Sequence, residues 1–479
     1  MTINTPATRD AVARVRPALG PAVAELAGIV DSFAAAGREL ALVGGSVRDA
    51  ALGRTDSDLD LTTDAPPEQI VELVAPHADA LWDTGIRFGT VGIRRAGYQV
   101  EITTYRAEHY APDSRKPEVV FGTDLLEDLA RRDFTINAMA VRLPTGAFED
   151  PHGGMLDLVE GTIRTPAAPQ DSFADDPLRM MRAARFVSQL GFEIEPATYA
   201  AMTESAERIA IVSAERVRDE LVKLMLGRYP SAGIRVLVDT GLADFVLPEV
   251  PALSLEIDEH RRHKDVYEHS LTVLDQAIAL ESAHEPAVPP DFVLRFAALM
   301  HDIGKPRTRR FTSDGVSFHH HEVVGAKMTR KRMKALRFPN DVTDDVSRLV
   351  ELHLRFHGYG SGEWTDAAVR RYVRDAGSQL TRLHKLTRAD STTRNRRKAA
   401  ALQATYDDLE RRIERLAEQE ELQALRPELD GKQIMAILGI PPGPQVGEAY
   451  RHLLEFRIEN GILGEEAVTA ELRRWWDER

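Results

Sequence analysis

Residues 57–64 read Ser-Asp-Leu-Asp-Leu-Thr-Thr-Asp, a run that fits a strand with one dry face and one wet face. Successive side chains of a strand point to opposite sides, so Leu59 and Leu61 share one face and Asp58 and Asp60 the other. Carboxylates two apart repel each other, and a cation between them is what normally offsets that repulsion. Just upstream, in GGSVRDAALGRTDSDLDLTT (44–63), Gly44 and Gly45 let the backbone approach a phosphate closely and Arg48 supplies a charged fork. Oxygen-only donors suit Mg²⁺, which takes one or two carboxylates and completes its shell with substrate phosphates. Together these residues are the equipment of metal-assisted phosphoryl transfer. Asp56 lies outside the pair and is given no role.

The rest of the chain sets this strand in a small α/β region. ALVGG, SDLDLTTD, TVGIRR and YQVEITTYR read as strands, and PPEQIVELVAPHA as a helix opened by prolines. Residues 1–40 look helical. After EDPHGGMLDLVEG the pattern turns to consecutive helices, among them DPLRMMRAARFVSQLGF and SAERVRDELVKLMLG, with Ser213 as the N-cap and Gly227 as the C-cap of the latter. At 479 residues the chain exceeds one core and divides into domains. It has no cysteine, so any metal is held by His and carboxylates. No apolar run approaches the ~18 residues of a membrane span, and the N-terminus lacks the apolar core of a secretory signal, which leaves a cytoplasmic protein with no membrane partner as the plain expectation. A net charge of −14 argues against binding nucleic acid through the whole surface. Basic residues concentrate locally instead, in KMTRKRMKALR (327–337) and RNRRK (394–398).

GGSVRDAALGRTDSDLDLTT resembles the head signature of the class II nucleotidyltransferases, the family of bacterial tRNA CCA-adding enzymes and poly(A) polymerases. The resemblance implies that Asp58 and Asp60 bind Mg²⁺, with Glu101 of VEITTYR as the third acid, and that Gly44, Gly45, Arg48 and Asp49 lie against the nucleotide. RRDFTINAMA (131–140) is similar to the family's second motif, where Arg132, Asp133 and Asn137 meet the triphosphate and ribose.

DDPLRMMRAARF (175–186) resembles the nucleotide-selecting motif, usually Glu-Asp-x-x-Arg, with Asp175 in place of the glutamate. Asp176 and Arg179 are read as neighbours on one helix face, with Arg182 and Arg185 continuing the stripe. A carboxylate accepts from the exocyclic amine shared by cytosine and adenine, and an arginine donates to the adjacent ring acceptor. Both bases therefore fit without a nucleic-acid template, while uracil and guanine do not.

A second constellation gathers histidines and carboxylates on helical segments: HRRHKDVYEHSLTVLDQAI (260–278), LMHDIGKPRT (299–308), FHHHEVVGAKM (318–328), ELHLRFH (351–357) and LTRADS (386–391). Imidazole and carboxylate together suit Mn, Ni, Fe or Mg. The pattern resembles the HD family of metal-dependent phosphohydrolases. That resemblance implies His269, His301, Asp302 and Asp390 as ligands, with His321 and His353 completing a second metal position.

The expected architecture is a multidomain α+β fold: a small mixed-sheet nucleotidyltransferase head followed by mostly α-helical neck, body, HD and tail regions. Its parts are an N-terminal helical segment (1–38), the head (39–160), a neck and body for nucleotide selection and RNA binding (161–255), an HD domain (260–395) and a helical tail (396–479). The implied activity is addition of CCA to the 3′ end of tRNA from CTP and ATP, together with HD phosphohydrolysis. The alternatives are a poly(A) polymerase and an HD phosphohydrolase whose head only binds nucleotide. RAEHYAPDSRKPEVVFGTDLLED (106–128) is read as the loop that switches the head between CTP and ATP.

Overall fold

The computed structural model describes residues 5–54, 58–105, 121–254, 265–283, 288–312, 315–356, 359, 364–392, 396–420 and 426–479. Asp56 and residues 106–120 of the loop reading fall outside them. Contacts divide the chain into two compact units, Met1–Pro248 and Glu249–Arg479.

The first unit opens with helices α1 (Pro6–Glu25) and α2 (Ala27–Ala35). Its sheet comprises β1 (Leu40–Val43), β2 (Asp58–Thr63), β3 (Ala80–Trp82), β4 (Thr90–Arg95), β5 (Tyr98–Thr104), β6 (Ala140–Leu143) and β7 (Phe148–Glu149). The order is β3-β4-β5-β2-β1-β6-β7, with β2 and β5 parallel and every other pair antiparallel. In β2 the alternation acts as the sequence requires: Leu59 and Leu61 are buried, and Asp58 and Asp60 face out. The edge strands β3 and β7 escaped the sequence reading because they are short and lack a fully buried face.

Helices α3 (Gly45–Ala51), α4 (Pro67–Val74), α5 (Leu125–Ala130) and α6 (Gly154–Glu160) complete the head. Beyond it come α7 (Pro169–Asp175), α8 (Leu178–Leu190), α9 (Pro196–Ser205), α10 (Ala214–Met225), α11 (Pro230–Asp239) and α12 (Ala243–Val246), with a small parallel pair, β8 (Thr162–Ile163) and β9 (Glu193–Ile194). Ser213 caps α10 by accepting the Arg216 N–H. Gly227 is not its cap: Leu226 holds that position. A Cβ on Gly227 would stand 2.1 Å from the Ser188 hydroxyl, so the glycine serves the close approach to α8.

In the second unit, α13 (Val266–Ser282), α14 (Phe292–Met300), α15 (Lys305–Thr308), α16 (His321–Ala335), α17 (Asn340–Leu352), α18 (Asp366–Ala376) and α19 (Leu380–Asp390) form a helical body, with one hairpin of β10 (Arg310–Thr312) and β11 (Gly315–Ser317). The long α20 (Arg396–Glu420) follows. Then α21 (Gly431–Leu438), α22 (Pro444–Asn460) and α23 (Glu465–Asp477) close on their own core around Leu429, Ile434, Leu453 and Leu472. No single helix among the described residues is long and apolar enough to cross a membrane.

Candidate active sites

The parallel register of β2 and β5 sets Asp60 beside Glu101 and Asp58 beside Gln99. All three carboxylates floor a cavity of about 710 Å³ that is also lined by Gly44, Gly45, Arg48, Arg132, Asp133, Asn137, Asp176, Arg179, Arg182 and Arg185. Gly44 ends β1 with φ +65°, and a Cβ there would meet the Arg132 guanidinium at 3.1 Å and the Asp60 carboxylate at 3.4 Å. Only glycine turns the chain here while leaving that wall open. Ser46, within the same motif, accepts the Asp60 N–H at 2.8 Å and so fixes the height of β2 against α3.

The concave wall raises the pKa of Asp60 through burial, against the pull of Arg132 and Arg48, and Asp58 adds repulsion. Burial raises Glu101 as well, and Asp60 and Asp58 raise it further. A divalent cation is what this crowding lacks, and the all-oxygen donors fit Mg²⁺. The three groups share the floor without converging on one point. The sets tight enough to surround an ion, among the described residues, lie in the second unit.

Around the floor, charges are fixed by specific partners. Arg48 donates to Asn137 Oδ1 at 2.7 Å and to Asp49 at 2.7 Å. Arg132 pairs with Asp128 at 3.1 Å. Asp133 is buried, which opposes ionisation, yet Arg182 at 2.6 Å and the Asn137 amide at 2.9 Å hold its pKa well below the usual carboxylate range.

The helix-face reading of Asp176 with Arg179 is corrected here. Asp176 lies outside α8, in extended conformation (φ −142°, ψ 100°), because Pro177 follows it and disfavours helix at the preceding residue. Its carboxylate pairs with Arg216 of α10 at 2.8 Å and accepts the Leu178 N–H at 3.1 Å. Arg179 instead donates to the Arg131 carbonyl at 2.6 Å and to Ser172 Oγ at 2.8 Å. Arg185 pairs with Glu220 at 2.8 Å and lies over the Phe186 ring.

Sequence reasoning missed Arg216, Glu220 and Lys223, which share one face of α10. Glu220 carried a usable signal, since it interrupts the otherwise apolar buried stripe of Val217, Leu221 and Leu224.

In the second unit, His269, His301 and Asp390 form one cluster and Asp302, His321 and His353 another, the ligand atoms of each within 4.8 Å of one another. Asp302 joins the two. Its Oδ2 lies 3.2 Å from His301 Nε2 and 3.7 Å from His269 Nε2, and its Oδ1 lies 3.2 Å from His321 Nε2 and 3.9 Å from His353 Nε2. Nδ1 of His301, His321 and His353 donates to a backbone carbonyl, at 2.8, 2.8 and 2.7 Å. This commits Nδ1 to a proton, so in each imidazole the Nε2 turned to the shared carboxylate is the nitrogen left to bind a metal. Nε2 of His301 and of His321 is buried without a hydrogen bond, the condition of a group waiting for a metal. His320, by contrast, turns outward with φ +62°.

Burial disfavours charge on His301, but Asp302 and Asp390 push its pKa up to about 9, so a proton occupies the place of positive charge. Burial and the neighbouring His301 hold His353 down to about 3, neutral and available as a ligand. The donor set therefore fits divalent metal. Beside it opens a cavity of about 860 Å³ lined by Lys305, Lys398, Thr392, Tyr359 and Tyr406.

Known proteins carry the same parts. The poly A polymerase head domain family matches residues 40–164, the family described as a probable RNA and SrmB-binding site of polymerase A matches 191–253, and the HD domain family matches 266–395. The A-adding tRNA nucleotidyltransferase of Deinococcus radiodurans is 33% identical over 452 residues, covering 91% of this chain and 96% of that protein. The CCA-adding enzyme of Levilactobacillus brevis is 45% identical over 215 residues, 45% of this chain, and the match spans about half (53%) of that enzyme's length. The crystal structure of Bacillus stearothermophilus CCA-adding enzyme in complex with CTP superposes with TM-score 0.68 at 25% identity, over 97% of this chain and 98% of that one. Thermotoga maritima CCA-adding enzyme complexed with tRNA shares the fold, with TM-score 0.60 at 20% identity over 99% of this chain and 100% of that one.

Fold and sites thus define a nucleotidyltransferase with a poly(A)-polymerase-type head and an HD domain. Within that class, the chain belongs to the tRNA nucleotidyltransferase family of the A-adding and CCA-adding enzymes.

Proposed function

We propose that the protein adds C, C and A to the 3′ end of tRNA, using CTP and ATP. The observation that carries this reading is the convergence of Asp58, Asp60 and Glu101 with Asp176 and Arg179 on one pocket. Bound there, Mg²⁺ would lower the pKa of the primer hydroxyl and neutralise charge on the departing pyrophosphate. Asp58, Asp60 and Glu101 are the groups that would hold it.

The chain's own residues do the remaining work. The Gly44-Gly45 backbone, Arg48 and Arg132 cradle the triphosphate, and Asp133 and Asn137 align the ribose side. Asp176, steadied by Arg216, keeps lone pairs free to accept from the exocyclic amine of cytosine or adenine, while Arg179 donates to the ring acceptor. The 3′-hydroxyl attacks the α-phosphorus, a new phosphodiester forms, and pyrophosphate leaves.

The Deinococcus relative, aligned over nearly its whole length, favours a second reading in which only the terminal A is added. One experiment separates the two: tRNA ending before CCA and tRNA ending in CC are each offered labelled CTP, ATP, and both together. Ordered C, C, A addition and a stop supports the first reading, and incorporation of A on the CC-ending tRNA alone supports the second. Runaway A addition would mark a poly(A) polymerase.

The second site supports a metal-dependent phosphohydrolase. His269, His301, Asp302 and Asp390 would hold one divalent ion, and His321 and His353 with Asp302 a second. Mn, Ni, Fe and Mg are the ions the donors suit. Hydrolysis of a small phosphate ester, lost on Asp302→Ala with nucleotide addition intact, is the test.

A further inference from the structure

The β10–β11 hairpin joins two ligand-bearing segments of the HD centre, Asp302 before it and His321 after it. Lys305, Arg307, Arg309 and Arg310 precede Phe311 within seven residues. In a chain of net charge −14, in which arginines are commonly spent on ion pairs, the guanidinium groups of Arg307, Arg309 and Arg310 form no ion pair or side-chain hydrogen bond among the described residues. Phe311 is 69% exposed, and the Arg309 guanidinium lies 4.6 Å from the centre of its ring. Phe311 thus offers an exposed aromatic ring with the Arg309 guanidinium over it, and Arg307 and Arg310, both exposed, lie within four residues of it in the chain.

The root of the hairpin touches the metal centre. Arg310 pairs across the hairpin with Ser317, and Phe318 follows directly. The Phe318 carbonyl accepts from His321 Nδ1 at 2.8 Å, and its ring lies 5.8 Å from Lys305 Nζ. That ammonium in turn contacts Asp302 at 2.6 Å.

We infer that this hairpin is a docking surface for single-stranded RNA and that it brings the end of the strand to the HD centre. Unpaired bases stack on Phe311, sandwiched by the Arg309 guanidinium, while Arg307 and Arg310 hold phosphates. A flat exposed ring beside arginines that meet no acid among the described residues fits single strands, whose bases are free to stack; a duplex keeps its bases inside. The delivery clause rests on the phosphohydrolase reading, but the docking clause does not.

The test uses the full chain and a short single-stranded RNA oligonucleotide followed by fluorescence anisotropy, with a blunt RNA duplex as the comparison. Phe311→Ala is expected to weaken single-strand binding about tenfold or more, with Phe311→Trp retaining it. Arg307→Ala with Arg310→Ala is expected to lower the slope of log affinity against log salt by about 0.7 per lost phosphate contact. Duplex binding changes little in Phe311→Ala. With Mn²⁺ supplied, hydrolysis of a small phosphate ester stays at the wild-type rate while release of phosphate from an RNA 3′ end falls with binding. Single-strand binding unchanged in Phe311→Ala, or lost equally for single strand and duplex, overturns the docking. A wild-type chain that hydrolyses no small ester removes the phosphohydrolase reading and the delivery clause with it, and the binding measurements still decide the docking.

Discussion

Gly304 sits in the turn between α14 and α15, two residues after Asp302, where the backbone of this turn meets α16. A Cβ at that position would stand 2.1 Å from the His321 carbonyl oxygen and 2.7 Å from the Gly325 backbone nitrogen. Both neighbours are main chain, so no rotamer change relieves the overlap. An ordinary C···O contact is roughly 3.3 Å or longer, and Gly304→Ala must therefore drive the start of α16 away by about 1 Å.

That displacement falls on the metal centre. His321 Nε2 now lies 3.2 Å from Asp302 Oδ1, and ligand distances tolerate only about 0.2 Å. Overpacking of this kind costs about 1–3 kcal/mol of stability, too little to unfold the unit but enough to take His321 out of the ligand set. Weakening of metal binding by roughly tenfold to a hundredfold is expected, the range seen when a ligand loses its support. Gly325→Ala is the internal control, because its Cβ would meet the Gly304 nitrogen at a milder 3.3 Å. Mn²⁺ binding by calorimetry and small-ester hydrolysis read the effect, and CTP and ATP incorporation read the head. Mn²⁺ affinity unchanged in Gly304→Ala would refute the steric reasoning, and equal loss in both variants would show that glycine itself, not this contact, is at issue.

Other consequences are equally open to measurement. Asp60→Asn should reduce nucleotide incorporation to background while leaving small-ester hydrolysis intact, and a variant that still incorporates would remove Asp60 from the reaction. Glu220→Ala strands the buried Arg185, whose pKa burial already lowers to about 10. A loss of about 3–5 kcal/mol is expected in urea unfolding of the full chain, largely restored when Arg185→Met and Glu220→Leu are combined. Asp133 has a folded pKa below its ordinary 3.8, so its contribution is complete above that value and is lost as pH falls through the folded pKa. The stability difference between wild type and Asp133→Asn should thus be constant at neutral pH and shrink below about pH 4. A difference that grows on acidification would reverse the assigned sign.

The parts of both sites that were legible in the sequence share a physical property: they are set within a few residues. Asp58 and Asp60 share a face because strands have a period of two, and Leu59 and Leu61 specify which face is buried. Asp176 was misplaced because its role depends on what interrupts the helix. The proline at 177 ends the α7 geometry, and the partner that receives the carboxylate, Arg216, is 40 residues away. Arg185 with Glu220 and Arg182 with Asp133 are likewise matches made by helix packing, and an arginine in a row of arginines carries no mark of which acid it will meet.

The HD histidines show how far local determination reaches. His301 and His353 are the residues that end α14 and α17, and His321 begins α16. In each, Nδ1 faces the carbonyl three residues earlier, that of Ala298, Val350 or Phe318. A carbonyl can only accept, so Nδ1 must carry a proton and Nε2 is the nitrogen left to bind a metal. At His301 and His353 that carbonyl is one the end of the helix leaves unpaired, and at His321 it is the Phe318 carbonyl just ahead of α16, so the proton position is a local property in all three. What the fold adds is direction: it turns three such Nε2 atoms, from three helix ends, onto the two oxygens of Asp302. Donor type and proton position are local properties, whereas the convergence that makes them a metal centre belongs to the packing of α14, α16 and α17, which is where the Gly304 contact acts.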